Sequence, residues 1–148
     1  MTDAIVPAGT QIDSLRQNEF EVLLEGERLV GIFKITGLVT FRLDVKPAQT
    51  RLMQDPITLS KMVQRDPNLP FNTWLRETVK AADDIHRPTR TLAIVAMDDG
   101  LETRRWTLNE AWISQIKYSD FSPANVELVE ETLTIHFESI TETWLGQP

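Results

Sequence analysis

An apolar segment that runs into an Asp-Gly turn is the feature that most constrains the fold of this chain. Residues 91–97 are apolar on both strand faces after the first position, which is typical of a strand buried in a core. Asp99-Gly100 follows, and this dipeptide favours a two-residue hairpin turn because both turn positions take positive φ. Residues 101–108 can form the returning strand. The sequence therefore predicts an antiparallel hairpin.

Residues 38–46 show the clearest two-residue period in the chain. Every second position is apolar: Val39, Phe41, Leu43 and Val45. The positions between them are polar or charged: Thr40, Arg42, Asp44 and Lys46. Such alternation predicts a strand that covers a core with one face and meets water, outside solvent or a lumen, with the other. Similar patterns predict strands at 20–24, 30–36, 57–63, 112–118 and 126–138, the last with a bulge near Glu130-Glu131.

One stretch favours a helix. Its apolar residues, at i, i+3, i+4, i+8 and i+11, are Phe71, Trp74, Leu75, Val79 and Ala82. Asn72 is the predicted N-cap, and the helix is expected to end near Asp83-Asp84. The predicted fold class is therefore mostly β, an antiparallel sandwich or barrel with one flanking helix.

The predicted organisation is one domain with two short flanking segments. Residues 1–17 are mixed and polar and form an expected N-terminal arm, residues 18–138 the β domain, and residues 139–148 a C-terminal tail. Trp144 and Leu145 stand in that otherwise polar tail, and we expect them to dock on this domain or on a neighbour.

Composition narrows the classes of function. The formal net charge is −7, and it is unevenly placed, since residues 1–74 carry 9 acids and 8 bases and residues 75–148 carry 13 acids and 7 bases. Clustered cations are needed to bind phosphates, so nucleic acid is disfavoured as a primary ligand. The absence of cysteine excludes disulfides and thiol chemistry. We expect no signal peptide and no membrane insertion, and therefore assembly in the cytoplasm.

Nothing in the sequence predicts catalytic residues, a cofactor or a metal site. The two histidines, His86 and His136, have no local partner at metal-ligand spacing. The acid pairs at residues 83–84, 98–99 and 130–131 are explained by a helix end, a turn and an exposed bulge. Two alternatives stay open: a stand-alone β-rich binding module that uses exposed tryptophans, and an enzyme with an unrecognised carboxylate pair.

Several short motifs follow one another in a particular order. A Gly37-Leu38 step is followed by a short strand at 57–61, Trp74-Leu75 and the apolar strand at 90–100. Next come Trp106, Leu108, Ala111 and Trp112 in a Trp-x-Leu-x-x-Ala-Trp arrangement, and then Ala124-Asn125 before an acidic and apolar strand. In this order, over residues 20–138, the chain resembles the tail tube proteins of contractile phages and contractile injection systems.

The resemblance implies a non-catalytic structural subunit. Such subunits form hexameric rings whose sheets join into one continuous β-barrel around a lumen, and the rings stack inside a sheath as a conduit. The implied partners are other copies of the chain, the sheath protein, and baseplate and spike proteins, with nucleic acid only as passing cargo. The particle is a phage tail or an injection system.

The resemblance also suggests site residues. We expect four side chains to face the lumen: Thr40, Arg42, Asp44 and Lys46. The expected ring-stacking loop consists of Pro47, Ala48, Gln49, Thr50 and Arg51. The glycine- and arginine-rich segment of the family is replaced here by residues 47–53. This departure leaves open whether the subunit forms the bulk tube or an initiator ring on the baseplate.

Overall fold

The computed structural model describes residues 14–46, 49–52, 54–82 and 85–145, with only the backbone at 46 and 49–52. Within these residues the chain forms ten strands and one helix. In order they are β1 Phe20–Leu24, β2 Glu27–Arg28, β3 Ile32–Thr36, β4 Leu43–Lys46, β5 Gln49–Leu52, β6 Ile57–Met62, α1 Pro70–Ala81, β7 Arg90–Asp98, β8 Leu101–Tyr118, β9 Glu130–His136 and β10 Ser139–Trp144. The predicted mostly β fold with one helix is confirmed.

The strands lie in the order β2-β1-β7-β8-β9-β6-β3, with β10 also paired to β8. Strand β8 is 18 residues long and serves two sheets. Its residues 101–111 pair with β7, and β10 lies on their other side, forming sheet 1 with β1 and β2. Its residues 112–118 pair with β9, which continues through β6 to β3 as sheet 2. Glu110, at φ 50°, marks the transition between the two sheets.

The hairpin between β7 and β8 is the one predicted from sequence. Asp99 and Gly100 have φ values of 53° and 82°, as a two-residue turn of this type requires. Residues 92–96 of β7 are buried, which confirms a core strand. Residues 101–108 and 112–118, predicted as separate strands, form one continuous strand instead.

The core lies between the two sheets. Its buried side chains come from both sheets and from α1: Val22, Leu24, Ile57, Leu59, Phe71, Trp74, Leu75, Leu92, Ile94, Leu108, Ala111, Ile113, Leu133, Ile135 and Phe137. Trp74 on the helix is completely buried, and its Nε1 donates to the backbone oxygen of Pro88 at 3.1 Å. Phe71, Trp74 and Leu75 of the predicted stripe thus hold the helix, and the loop after it, against the sandwich, whereas Val79 of that stripe is 66% exposed.

The helix is confirmed, but its predicted cap is wrong. The N-cap is Leu69, and the next residue is a proline, which has no N–H for a side chain to satisfy. Asn72 is buried instead, and its Nδ2 donates to the backbone oxygens of Gln64 at 3.1 Å and Asp66 at 2.7 Å. The predicted helix end at residues 83–84 lies outside the described residues.

The prediction that residues 38–46 cover the core of their own chain is wrong. Only Leu43–Lys46 forms a strand, and it pairs with β5 alone in a two-stranded ribbon separate from both sheets. Phe41 is 68% exposed and Val45 is 73% exposed. Alternation correctly indicated one apolar face, but within the described residues Phe41 and Val45 of that face stay uncovered.

The predicted start of the last long strand is also wrong. Strand β9 begins at Glu130, and Val126 and Leu128 lie in the preceding loop, 97% and 69% exposed. No bulge is needed to reconcile the two apolar phases, because they belong to different structures. Glu131, which we expected to be exposed, is 3% exposed.

Candidate assembly surface

Sheet 2 has two open edges in the described part of the chain. Strand β3 pairs only with β6, and residues 112–118 of β8 pair only with β9. Each row of unpaired backbone N–H and C=O groups along such an edge can accept another strand. Because all neighbours in the four-stranded sheet are antiparallel, its two edge strands run in opposite directions. One copy's β3 can therefore pair antiparallel with β8 of another copy.

The face of sheet 2 that points away from the core is polar. Directly opposed residues of an antiparallel sheet share a face, so the strand register defines rows across it. One row consists of Lys34, Ser60, Thr132 and Lys117, and the next of Thr36, Thr58, Thr134 and Gln115. These rows contain hydroxyls, an amide and two lysines, and no acid. Such a face suits a wet channel.

Three stacked side chains lie at one end of sheet 2. The His136 ring lies parallel to that of Trp112 at 4.5 Å between centroids, and the Arg87 guanidinium lies 3.9 Å from the Trp112 centroid. The His136 Nε2 is 3.0 Å from Ser114 Oγ. Burial, with a smaller effect of the Arg87 charge, lowers the pKa of His136. This histidine therefore packs as a neutral ring, and no metal-ligating cluster of three or more side chains occurs among the described residues.

Two carboxyls meet where β8 passes from one sheet to the other. A hydrogen bond to Glu138, together with the charge of that carboxylate, raises the pKa of Glu110. The backbone N–H of Glu138 donates to the Asn109 oxygen at 2.9 Å, which ties the β9–β10 junction to the β8 transition. The pair was not visible in the sequence, because Glu110 and Glu138 are 28 positions apart.

A buried ion pair joins β6 to β9. Lys61 Nζ lies 2.6 Å from Glu131 Oε1, and the two side chains are 1% and 4% exposed. The Nζ also donates to the backbone oxygen of Met62 at 2.9 Å and lies 5.3 Å from the Phe71 ring centroid. Sequence reasoning missed this pair. Its signal was the strand phase, which places Lys61 in line with the buried Leu59.

Two of the predicted lumen-facing side chains, Thr40 and Arg42, are exposed to solvent in the isolated chain. Thr40 is exposed, and Arg42 Nε and Nη2 donate to the Asp55 carboxylate at 2.8 and 2.7 Å. This hydrogen-bonded pairing raises the pKa of Arg42 and lowers the pKa of Asp55. Asp44 is half-buried, and Lys46 is described by its backbone alone. Their place in a lumen stays a prediction.

The predicted stacking loop is described only in part. Pro47 and Ala48 lie outside the described residues, whereas Gln49, Thr50 and Arg51 have a described backbone in β5. Their role in stacking stays a prediction.

The predicted tail begins as β10, the outermost strand beside β8. Trp144 is 68% exposed, with the Arg104 guanidinium 3.4 Å from its ring centroid, and Leu145 is 43% exposed. A role of Trp144 and Leu145 in docking stays a prediction. Trp106 is less exposed to solvent than Trp144, because it is half-buried beside an open groove of about 910 Å³.

A protein-family model described as T4-like virus tail tube protein gp19 matches residues 16–141. No match was found among curated proteins. Among solved structures, the sheath-tube complex of the extracellular contractile injection system PVC has a subunit with 10% sequence identity and a TM-score of 0.71, covering 97% of this chain and 100% of that one.

Two structures of the anti-feeding prophage are also similar. A subunit of its tube-terminating cap has 15% identity and a TM-score of 0.70, covering 88% of this chain and 91% of the other. A subunit of its baseplate, solved with 6-fold symmetry, has 10% identity and a TM-score of 0.64, covering 90% and 98%. Identities this low show a shared fold. In the described residues, no helix has the length and apolar character needed to cross a membrane.

Proposed function

The chain belongs to the T4-like virus tail tube protein gp19 family, and from this premise we propose that six copies join edge to edge through sheet 2 into a ring around a lumen. It is a structural tail tube subunit of a contractile phage or injection system, within the particle. The observation that supports the ring is the four-stranded sheet, which in the described part of the chain is open at both edges and polar on its outward face.

Edge-to-edge joining satisfies the backbone groups that an isolated copy leaves unpaired. An exposed sheet edge is a site for uncontrolled pairing, and closure into a barrel removes it. An even number of strands per copy lets every seam be antiparallel. Six copies of a four-stranded sheet would give a barrel of about 24 strands, wide enough for an open bore.

The polar face of sheet 2 would line the bore. Its rows of threonine and serine hydroxyls keep the channel wet, while the opposite face packs against the core of each subunit. The tube would be a rigid conduit through which protein or nucleic-acid cargo passes. The predicted lumen residues on 38–46 would then lie at a rim of the bore, because this segment leaves sheet 2 at the end of β3.

We also propose the particle partners of the ring: a contracting sheath outside it, and baseplate and spike proteins at its end. The departure of residues 47–53 from the family pattern supports a place in the first ring above the baseplate. Assembly in the cytoplasm is expected. Co-purification with baseplate proteins in particles lacking a long tube would test this position.

The ring is tested by amide hydrogen exchange on dispersed and assembled protein. We expect residues 32–36 and 114–118 to exchange more slowly in the assembly, since both edges gain hydrogen-bond partners. The helix face around Val79, which is 66% exposed, is the internal control. Equal exchange at both edges, or a monomer at every concentration, would refute the ring and favour a stand-alone binding module.

The lumen assignment is tested by cysteine labelling in the cysteine-free chain. A bulky maleimide should reach Thr134→Cys slowly in long tubes and quickly in dispersed protein, whereas Val79→Cys should react equally in both. Arg42→Cys tests the segment 38–46 in the same way. Equal rates for Thr134→Cys would remove sheet 2 from the bore.

A further inference from the structure

The strands of sheet 2 differ in charge from the rest of the chain. Their residues include three lysines and two acids, for a charge of +1. All other residues of the chain include 12 bases and 20 acids, for a charge of −8. Within sheet 2, Lys61 and Glu131 pair with each other on the core side. The remaining charged residues, Lys34, Lys117 and Glu130, therefore decide the charge of the outward face.

Two of these residues form a positive row. Lys34 on β3 and Lys117 on β8 lie in the same row across the outward face, and both are exposed. Neither ammonium group has an ion-pair or hydrogen-bond partner in the described part of the chain. Glu130 opposes Met62 in a separate row at one end of the face. The face therefore keeps an excess of one positive charge per copy.

On sheet 1, by contrast, exposed arginines are paired with acids. Arg28 Nη2 lies 3.1 Å from a Glu21 carboxylate oxygen, and Arg104 Nη1 lies 3.4 Å from a Glu142 carboxylate oxygen. The chain has 22 acids, yet it places none beside the lysine row of sheet 2. A concave wall lined by one sign of charge concentrates ligands of the opposite sign. The lysine row thus favours an anionic ligand.

The spacing of the row suits an extended polypeptide. Three interstrand spacings separate Lys34 from Lys117, or roughly 14 Å. An extended chain covers this distance in about four residues. The hydroxyls of Thr58 and Thr134 in the next row can donate to peptide oxygens or accept from peptide N–H groups. Each exposed ion pair is weak, but many such pairs along one chain add up, so a long acidic segment is held and can still slide.

We propose that the row of Lys34 and Lys117 binds acidic, unfolded polypeptide segments that pass through the bore. The inference rests on the proposed ring, in which every copy presents two ammonium groups to the lumen. It names the chemistry of the cargo: carboxylate side chains on a flexible chain, bound without regard to their exact sequence.

Nucleic acid fits this face less well. A barrel of about 24 strands, spaced ~4.8 Å apart and tilted by ~40°, has a radius of roughly 24 Å. Charges are screened beyond ~8 Å at physiological salt, so only cargo that reaches the wall is attracted by the lysines. A DNA duplex, with a persistence length of ~150 base pairs, is stiff enough to stay near the axis. The two polar rows contain no aromatic side chain on which single-stranded bases could stack.

Retention of a labelled polyanion by assembled full-length protein tests the inference. The probe is dye-labelled poly-L-glutamate, the competing probe is a dye-labelled DNA duplex, and size-exclusion chromatography separates assemblies from free probe. Wild-type assemblies should retain poly-L-glutamate and release it at high salt. Lys34→Gln/Lys117→Gln should lose most of the retained probe. The matched control, Arg28→Gln/Lys80→Gln, removes two exposed positive charges outside sheet 2 and should retain as much as wild type. Preferential retention of the duplex, or equal retention by all variants, would overturn the proposal.

Two further variants keep the test decisive, because Lys34 and Lys117 lie on edge strands and their loss could prevent assembly. Lys34→Arg/Lys117→Arg preserves the charge and should retain poly-L-glutamate. Glu130→Gln removes the outward acid and should retain more than wild type. Loss of the probe in the arginine variant, or no gain in Glu130→Gln, would contradict the inference.

Electron microscopy of the same samples separates this inference from the proposed function. Wild-type rings that retain no poly-L-glutamate would overturn the cargo chemistry and leave the ring intact. Absence of any wild-type ring would refute the proposed function, and the inference with it.

Discussion

The Lys61–Glu131 pair makes the sharpest stability prediction. Both charges are buried, 2.6 Å apart, on facing positions of β6 and β9. A buried ion pair gains little over two apolar side chains, because taking the charges out of water costs nearly as much as their attraction returns. Removing one partner is different, since the other charge stays buried and unpaired.

We therefore expect two single variants to lose stability and a double variant that replaces both charges with apolar side chains to keep it. Glu131→Gln and Lys61→Met should each lower the free energy of unfolding by about 3–5 kcal/mol. The double variant Lys61→Met/Glu131→Leu should fall within about 1 kcal/mol of wild type or exceed it. In a chain of 148 residues, the single losses correspond to a decrease in Tm of about 6–20 °C.

The assay is urea unfolding of dispersed protein, followed by tryptophan fluorescence and far-UV circular dichroism. Glu102→Gln is the control, because its partner Arg105 is 33% exposed and a partly solvated pair contributes about 1 kcal/mol or less. Single variants that cost under about 1 kcal/mol, or a double variant whose loss equals the sum of the two, would refute the reasoning.

Three other changes have defined outcomes. Gly100→Ala, at φ 82°, should cost about 1 kcal/mol of unfolding free energy in the same urea assay. Because Glu138 raises the pKa of Glu110, the stability that protonated Glu110 contributes is present below pH 4.5 and is lost as the pH rises through the folded pKa. Glu110→Gln removes the repulsion between the two carboxylates, so it should raise the urea midpoint more at pH 7 than at pH 4. The lowered pKa of His136 gives stability that is present above pH 6.5 and lost at lower pH, so His136→Gln should flatten the acid side of the stability curve measured from pH 7 to 5.

The sequence by itself determined the elements whose signals are local. Asp99-Gly100 specified the central hairpin because its two positive φ values depend on the turn residues alone. The apolar stripe around Trp74 specified the helix, since the spacing on one helix face is set by 3.6 residues per turn. The order of motifs was enough to indicate the family.

Only the tertiary structure decided which surfaces are covered. The alternation at 38–46 showed one apolar face, but strand period carries no information about what lies against that face, and Val45 proved to be exposed. For the same reason Glu131, expected in solvent, lies buried against Lys61 from a strand 70 positions away. Burial and pairing between distant segments depend on packing in three dimensions, which local periodicity does not encode.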